Sequence, residues 1–270
     1  MMNGTVLQLI SIVSYGNDFL INGHETDFTT NNVSFKNCYT VDFRSFKKDI
    51  SSEKWEEIII AANANEWFKQ LKNEGCKKLR LFYQHSKDQS KTKDYKISVF
   101  VGGGGEWYIE AIYDKFSNFW ATRWKINKEV SNKWLVWFAV FAREAVTKNV
   151  LYDEDITKDY LKQTLISISE FAMIQKLEYW VKQFDSALEA LTNLSPKQNS
   201  FCKEIIPIKN YSLSSQQLLF TAEQAWVFGG MGSWNDVGFS DIDAQEKYET
   251  LSEQLYENVI WAVIASVNSF

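Results

Sequence analysis

The sequence predicts an α+β fold, an antiparallel meander sheet in the N-terminal half packed with a C-terminal set of long helices. Apolar residues recur at every second position in a series of short runs between 77 and 141. From about 155 onward they recur at helical spacing instead. The 270 residues are 45% hydrophobic and 23% charged, ordinary values for a chain that buries a sizeable core. The change of period near 150 divides a sheet region, 1–150, from a helical region, 151–270. The two are read as one unit, because a sheet apolar on its inner side needs a cover.

Taken in order, TVLQLISIVSYGNDFLI (5–21) places Val6, Leu9, Ile10, Val13 and Leu20 on one helical face. Gly16 and the β-branched run leave a strand over 5–13 as the alternative. VSFKNCYTVDFRSF (33–46), rich in aromatic and β-branched residues, reads as a strand. SSEKWEEIIIAANANEWFKQLKNEG (51–75) carries helix punctuation at both ends. Ser51 or Ser52 serves as cap, acids fill the first turn, and Gly75 follows the last. Trp55, Ile58, Ile59 and Ala62 form its stripe, with a brief break at Asn63 and Asn65.

The period-two runs are KKLRLFYQH, DYKISVFV, EWYIEAIYD and FWATRWKI, followed by KWLVWFAVF, apolar on both sides as a doubly covered strand is. The helical half begins with a segment capped by Asp155 and striped by Leu161, Leu165, Ile168 and Ala172. It continues through Leu177, Trp180, Val181, Phe184, Leu188 and Leu191, as one helix or as two with a joint near Met173, and stops at Pro196. SSQQLLFTAEQAWVF is a serine-capped helix. The last runs from about Asp243 to Asn268 with Tyr248, Leu251, Leu255, Val259, Ala262 and Ser266 inward.

Composition narrows the function. A net charge of −5 argues against a nucleic-acid partner, whose binding rests on a basic footprint. Cys38, Cys76 and Cys202 are odd in number and far apart, which suits three buried thiols in a reducing compartment. With only His24 and His85, no metal site, cofactor or catalytic triad is expected. The N-terminus lacks the marks of a secretory signal. The longest apolar run, VIWAVIASV, is about half a membrane span, so the expectation is a cytoplasmic protein without a membrane partner. The oligomeric state is left open.

Aromatic residues are the outlier, at 16% with 11 Trp, which fits either a heavy core or a recognition face. Four successive glycines at 102–105 suggest a hairpin or bulge, or a close approach of another backbone. Glu106 and Glu110 share a strand face but stand about 13 Å apart, too far for paired-acid chemistry. Arg123, between Trp120 and Trp124, can stack on an indole or pair with Glu110 across the sheet.

AWVFGGMGSWND (225–236) has two readings. In one it is a tight turn, with Gly229 or Gly230 ending the helix and Trp226, Phe228 and Trp234 as anchors. In the other its glycine-freed N–H groups form an anion nest, walled by Trp234 with Asp236 as a polar handle. The candidate ligand- or partner-binding residues are Trp107, Glu110, Trp120, Arg123, Trp226, Gly230, Trp234 and Asp236. No nucleophile or metalloprotease motif is present, and no catalytic residue is singled out.

The stretches LQLISIVSYGN, CKKLRLFYQ through GGGGEWYIEA, FGGMGSWND and LSEQLYENVIWAVIASVNS resemble a group of bacterial proteins without an established activity. That resemblance transfers no residue role. By association with cytoplasmic proteins of this size, it suggests an immunity or anti-toxin partner. The expectation is therefore a protein-interaction module, in its narrowest form a toxin-neutralising immunity protein. The alternative is an enzyme or binder of a small polar ligand held between the 102–105 and 229–236 loops, with Glu106, Glu110, Arg123 and Asp236 as polar contacts.

Overall fold

The N-terminal segment is apolar on every side, and it becomes a helix enclosed by protein. The computed structural model describes residues 2–25, 32–48, 54–87, 93–98, 103–130, 132–145, 153–195 and 201–270. Helix α1 (Gly4–Asn17) is capped by Asn3, and Leu9, Ile10, Ile12 and Val13 on it are fully buried. A π-helical turn over Asp18–Asn22 closes it. The helical reading of 5–21 thus holds. Gly16 lies where the helix meets the sheet: a Cβ there would stand 2.4 Å from Leu79 Cδ1 and 2.9 Å from the Phe68 ring.

Six strands follow: β1 (Cys38–Lys48), β2 (Trp55–Ala61), β3 (Lys78–Gln84), β4 (Glu106–Ile112), β5 (Phe116–Ile126) and β6 (Trp134–Ala145). They lie side by side in the order β2-β1-β6-β5-β4-β3. From β3 to β6 the pairing is the expected antiparallel meander. However, β1 runs parallel to β6, with Phe43 opposite Phe138, and carries β2 antiparallel on its other side. The sheet is therefore mixed. Side-chain alternation fixes which face a strand buries, and says nothing of its neighbour's direction.

Three local expectations change. Within 51–75 the chain forms strand β2, then helix α2 (Ala64–Asn73), because three successive isoleucines favour extended backbone. The α2 cap is Asn63, which accepts from Glu66 N at 2.9 Å, whereas Ser51 and Ser52 lie outside the described residues. Gly75 does end that helix, at φ +84°. In DYKISVFV, Asp94–Ile97 is a single helical turn, α3, and 99–101 lie outside the described residues. In 33–46, Val33–Phe35 is a 3-10 turn and the strand starts at Cys38.

The inner face of the sheet carries Phe43, Leu79, Leu81, Ile109, Trp120 and Phe138, all buried beneath α1 and α2. Trp67 of α2 stacks on Phe43 at 4.2 Å. Among the described residues β6 makes no extensive contact with any helix. Trp137 there is half-buried and Phe141 exposed.

At the outer border of β3, two asparagines replace a neighbouring strand. Asn17 Oδ1 accepts from Leu79 N at 2.7 Å, and its Nδ2 donates to Leu79 O at 2.9 Å. Asn268 repeats this on Leu81, at 2.7 and 2.9 Å.

In the second half α4 (Glu154–Ile174), α5 (Glu178–Thr192), α6 (Leu213–Gln224) and α7 (Ile242–Asn268) form a ring. Each packs on the next, and α7 closes onto α4. The cap of α4 is Asp153 rather than Asp155, because its Oδ1 reaches the N–H groups of Asp155 and Ile156. The joint falls at Gln175–Leu177, with Lys176 at φ 59°. Ser212 caps α6 and Asp241 caps α7. Pro196 lies outside the described residues. The expected stripes of α4 and α7 are buried, and one apolar core runs from Leu9 through Leu165 to Val263. The three cysteines are buried and free, and burial pushes the thiol pKa of Cys38 up to about 11 and that of Cys76 to about 12. Among the described residues, no helix is long and apolar enough to cross a membrane.

Candidate functional site

Residues 225–236 fold into a closed turn. Helix α6 ends at Gln224, with Ala225 N–H donating to Thr221 O at 2.8 Å, so Gly229 and Gly230 do not terminate it. Trp226 and Phe228 are buried against the Tyr256 ring. Trp234 is fully buried, donates from Nε1 to Ser252 Oγ at 2.7 Å, and accepts at its carbonyl from Tyr248 Oη at 2.7 Å. Gly232, at φ +83°, donates its N–H to Asp236 Oδ2 at 2.5 Å. Gly229 N–H donates to Asn235 Oδ1 at 3.4 Å. The chain's own Asp236 carboxylate thus takes the Gly232 N–H that the sequence offered to an anion. Gly230 is exposed beside the fully exposed Met231.

The two glycine-rich stretches approach each other. Gly102 lies outside the described residues, and Gly103–Gly105 precede β4 rather than forming a hairpin turn. A Cβ on Gly104, at φ +84°, would stand 3.3 Å from Tyr256 Oη, and the Tyr256 ring meets Phe228 at 5.1 Å. Beside this junction the buried Asp94 accepts from Tyr83 Oη at 3.1 Å, Ser86 Oγ at 2.5 Å and His85 Nδ1 at 3.2 Å. Tyr83 Oη accepts from Gly105 N–H at 3.1 Å and lies 3.5 Å from Tyr256 Oη. Burial drives both tyrosine pKa values upward, so their hydroxyls remain neutral donors. The network ties the glycine loop to α7. Its members come from separate elements, and nothing in the local sequence marked them.

The polar residues expected to converge there do not. Glu110 is buried on the outer face, where Arg80 Nη2 reaches its Oε2 at 2.7 Å. Arg80 takes the place foreseen for Arg123 because β3 pairs directly with β4 and sets Arg80 opposite Glu110. Glu106 accepts from Tyr108 Oη. Arg123 is exposed at the other end of the outer face, opposite Trp137. Trp107 is half-buried against Tyr83, Trp120 is in the inner core, and Asp236 borders the turn.

A different set of groups gathers on the outer face beside β2. The Arg44 guanidinium lies 4.5 Å from the centre of the Trp137 ring. Asp42 holds it at 2.5 Å and Glu57 at 3.2 Å, and hydrogen bonding to Asp42 raises its pKa further. Trp137 Nε1 donates to Glu57 Oε1 at 3.4 Å. This fixed platform adjoins strand β2, on which Trp55 is 66% and Ile59 is 59% exposed. The far edge of β2 pairs with no described strand. The helical reading of 51–75 had hidden it.

Comparison with models of protein families, with curated proteins and with solved structures finds no match.

Proposed function

We propose that the chain is a protein-binding module that captures an extended segment of its partner along strand β2. One observation carries this reading: an apolar strand edge, unpaired among the described residues, lies beside the Arg44–Trp137 platform. Unpaired backbone N–H and C=O groups supply affinity for an added strand, and alternate side chains supply specificity. Arginine and tryptophan, already immobilised here by Asp42 and Glu57, are the side chains that most often dominate binding energy at interfaces. The partner segment is extended, with apolar residues at alternate positions to meet Trp55 and Ile59. A net charge of −5 favours a partner with a basic surface. In the narrowest form of the proposal that partner is a bacterial toxin, and co-expression then restores growth.

The test is a photo-activated cross-linking residue at position 59, with the exposed Ile242 as a remote control. One adduct of defined mass at 59 and none at 242 is expected. No adduct at 59, or the same adduct at both positions, overturns the reading.

A further inference from the structure

Between α5 and the turn that follows α6 lies a cavity of about 610 Å³, within the range of small-molecule sites. Its lining takes Tyr179 and Trp180 from α5, Glu223 from α6, and Trp226, Phe228 and Met231 from the turn. The Tyr179 and Trp180 rings stand at 79° with centroids 4.9 Å apart, so two ring faces meet in a corner. These groups reach solvent: Tyr179 is 63% and Met231 100% exposed, and Trp180 is half-buried. Contact with a ligand therefore falls to them rather than to the nearly buried Trp226 and Phe228.

The surroundings give the cavity a sign. Aromatic faces carry negative potential. Among the described lining residues Glu223 bears the charge, and there is no Lys, Arg or His. Glu223 is held in place by the Cys202 N–H, which reaches its Oε2 at 3.2 Å. Backbone donors that an anion needs are already engaged. Gly229 and Gly232 donate to Asn235 and Asp236, and Ser233 N–H donates to Gly230 O at 3.1 Å. Ser233 Oγ donates to Gly229 O at 2.9 Å. What is left is a surface of rings, thioether and carboxylate.

We infer that this cavity binds a small quaternary ammonium ion, its methyl groups in the Tyr179–Trp180 corner and against Met231, its charge balanced by Glu223. Such an ion has no N–H to satisfy, so it loses nothing on a surface of rings. The source is a free solute rather than a lipid headgroup, because a net charge of −5 opposes approach to an anionic membrane surface. The lining shares no residue with β2 or with the Arg44–Trp137 platform, so the inference is independent of strand addition there.

The probe is choline chloride, compared with sodium chloride at equal ionic strength. Binding is followed through the indole Nε1–H resonances of the 11 tryptophans, with Trp180 identified by through-bond assignment. The Trp180 signal moves along a saturation curve while indoles remote from the cavity stay in place. Dimethylbutanol, in which carbon replaces the charged nitrogen, binds about tenfold more weakly. Tyr179→Ala, at an exposed position, weakens choline about fivefold, and Tyr179→Phe, which keeps the ring face, binds as the wild type does. Vesicles of phosphatidylcholine do not sediment the protein. If choline moves Trp180 no further than sodium chloride does, or moves all indoles together, the site is refuted. Equal binding of dimethylbutanol refutes the cation assignment, and unchanged affinity in Tyr179→Ala refutes the ring corner. Sedimentation with the vesicles overturns the free-solute assignment.

Discussion

The sheet has two border strands, and the chain treats them in opposite ways. At β3 the outward-facing N–H and C=O groups of Leu79 and Leu81 are taken by the side-chain amides of Asn17 and Asn268. A primary amide offers one donor and one acceptor at nearly peptide spacing, so each asparagine acts as a one-residue strand. Lys78 adds a tie from the same strand to the carbonyls of Asn268 and Phe270. At β2 no described group does this, and Trp55 and Ile59 stand exposed. Natural sheets blunt or cover their edges because an open one recruits other chains. A protein that closes one border with two placed side chains has the means to close the other. The difference is that, among the described residues, one border is closed by side chains and the other is left open.

The comparison breaks first at Asn17. Its amide is fully buried, so Asn17→Leu leaves the Leu79 N–H and C=O without partners or water. At about 1–3 kcal/mol per stranded group, the loss is roughly 2–6 kcal/mol, read as a lower urea midpoint at unchanged slope. Asn17→Asp does not rescue, because it sets a carboxylate oxygen against the Leu79 carbonyl. A loss under about 1 kcal/mol, less than even one stranded group costs, means the plug is not structural.

Asn268 is half-buried, and water can reach the groups it leaves. Asn268→Ala therefore costs less, about 1–2 kcal/mol, but it also opens the border at Leu81. The variant associates with rising concentration in light scattering and the wild type does not do so through this edge. A monomeric Asn268→Ala protein of unchanged stability would falsify the role given to β3.

Lys78 gives a smaller, pH-dependent signal. Burial, then the nearby Arg80, lowers its pKa below the ordinary 10.5. The unfolded chain thus binds more protons between the folded value and 10.5, and stability rises with pH across that window. Measured against Lys78→Met, the wild type gains as pH is raised toward 10.5 and loses that gain as pH falls through the folded value. A flat difference shows that the ammonium is not desolvated at the plug.

Much of this contrast was hidden in the sequence. The meander and the helical ring were legible because their periods are clean, as in Leu79, Leu81 and Tyr83 or Leu161, Leu165 and Ile168. The anchoring of 225–236 by Trp226, Phe228 and Trp234 was also legible, because a buried ring among glycines has few other uses. Strand β2 was not, since Glu56 and Glu57 after two serines imitate the first turn of a helix. Nor were the borders, because which strand lies outermost depends on β1 choosing β6, a pairing across more than ninety residues. Asn17 and Asn268 act on strand positions 62 and 187 residues away, beyond any local pattern. The partner of Glu110 went astray for the same reason: the segment between β3 and β4 hides that Arg80 is its cross-strand neighbour.

The smallest effect on stability falls at the open border, and it separates the two edges most sharply. Ile59 is solvent-exposed and faces Arg44 across the β1–β2 ladder, so Ile59→Glu strands no buried group and gains an opposite charge across the strands. The apolar area lost from the surface and the slightly poorer strand propensity of glutamate roughly offset that gain, leaving unfolding within about 0.5 kcal/mol of wild type. Binding responds differently. A carboxylate in the row that meets the partner's apolar residues is desolvated on docking without a partner of its own, which costs about 1–3 kcal/mol, or roughly fivefold to 150-fold in affinity. Unchanged urea unfolding together with loss of the cross-linked adduct, now probed from position 55, is the expected pair of results. Retention of the adduct by Ile59→Glu removes β2 from the interface, and the open border then needs another account.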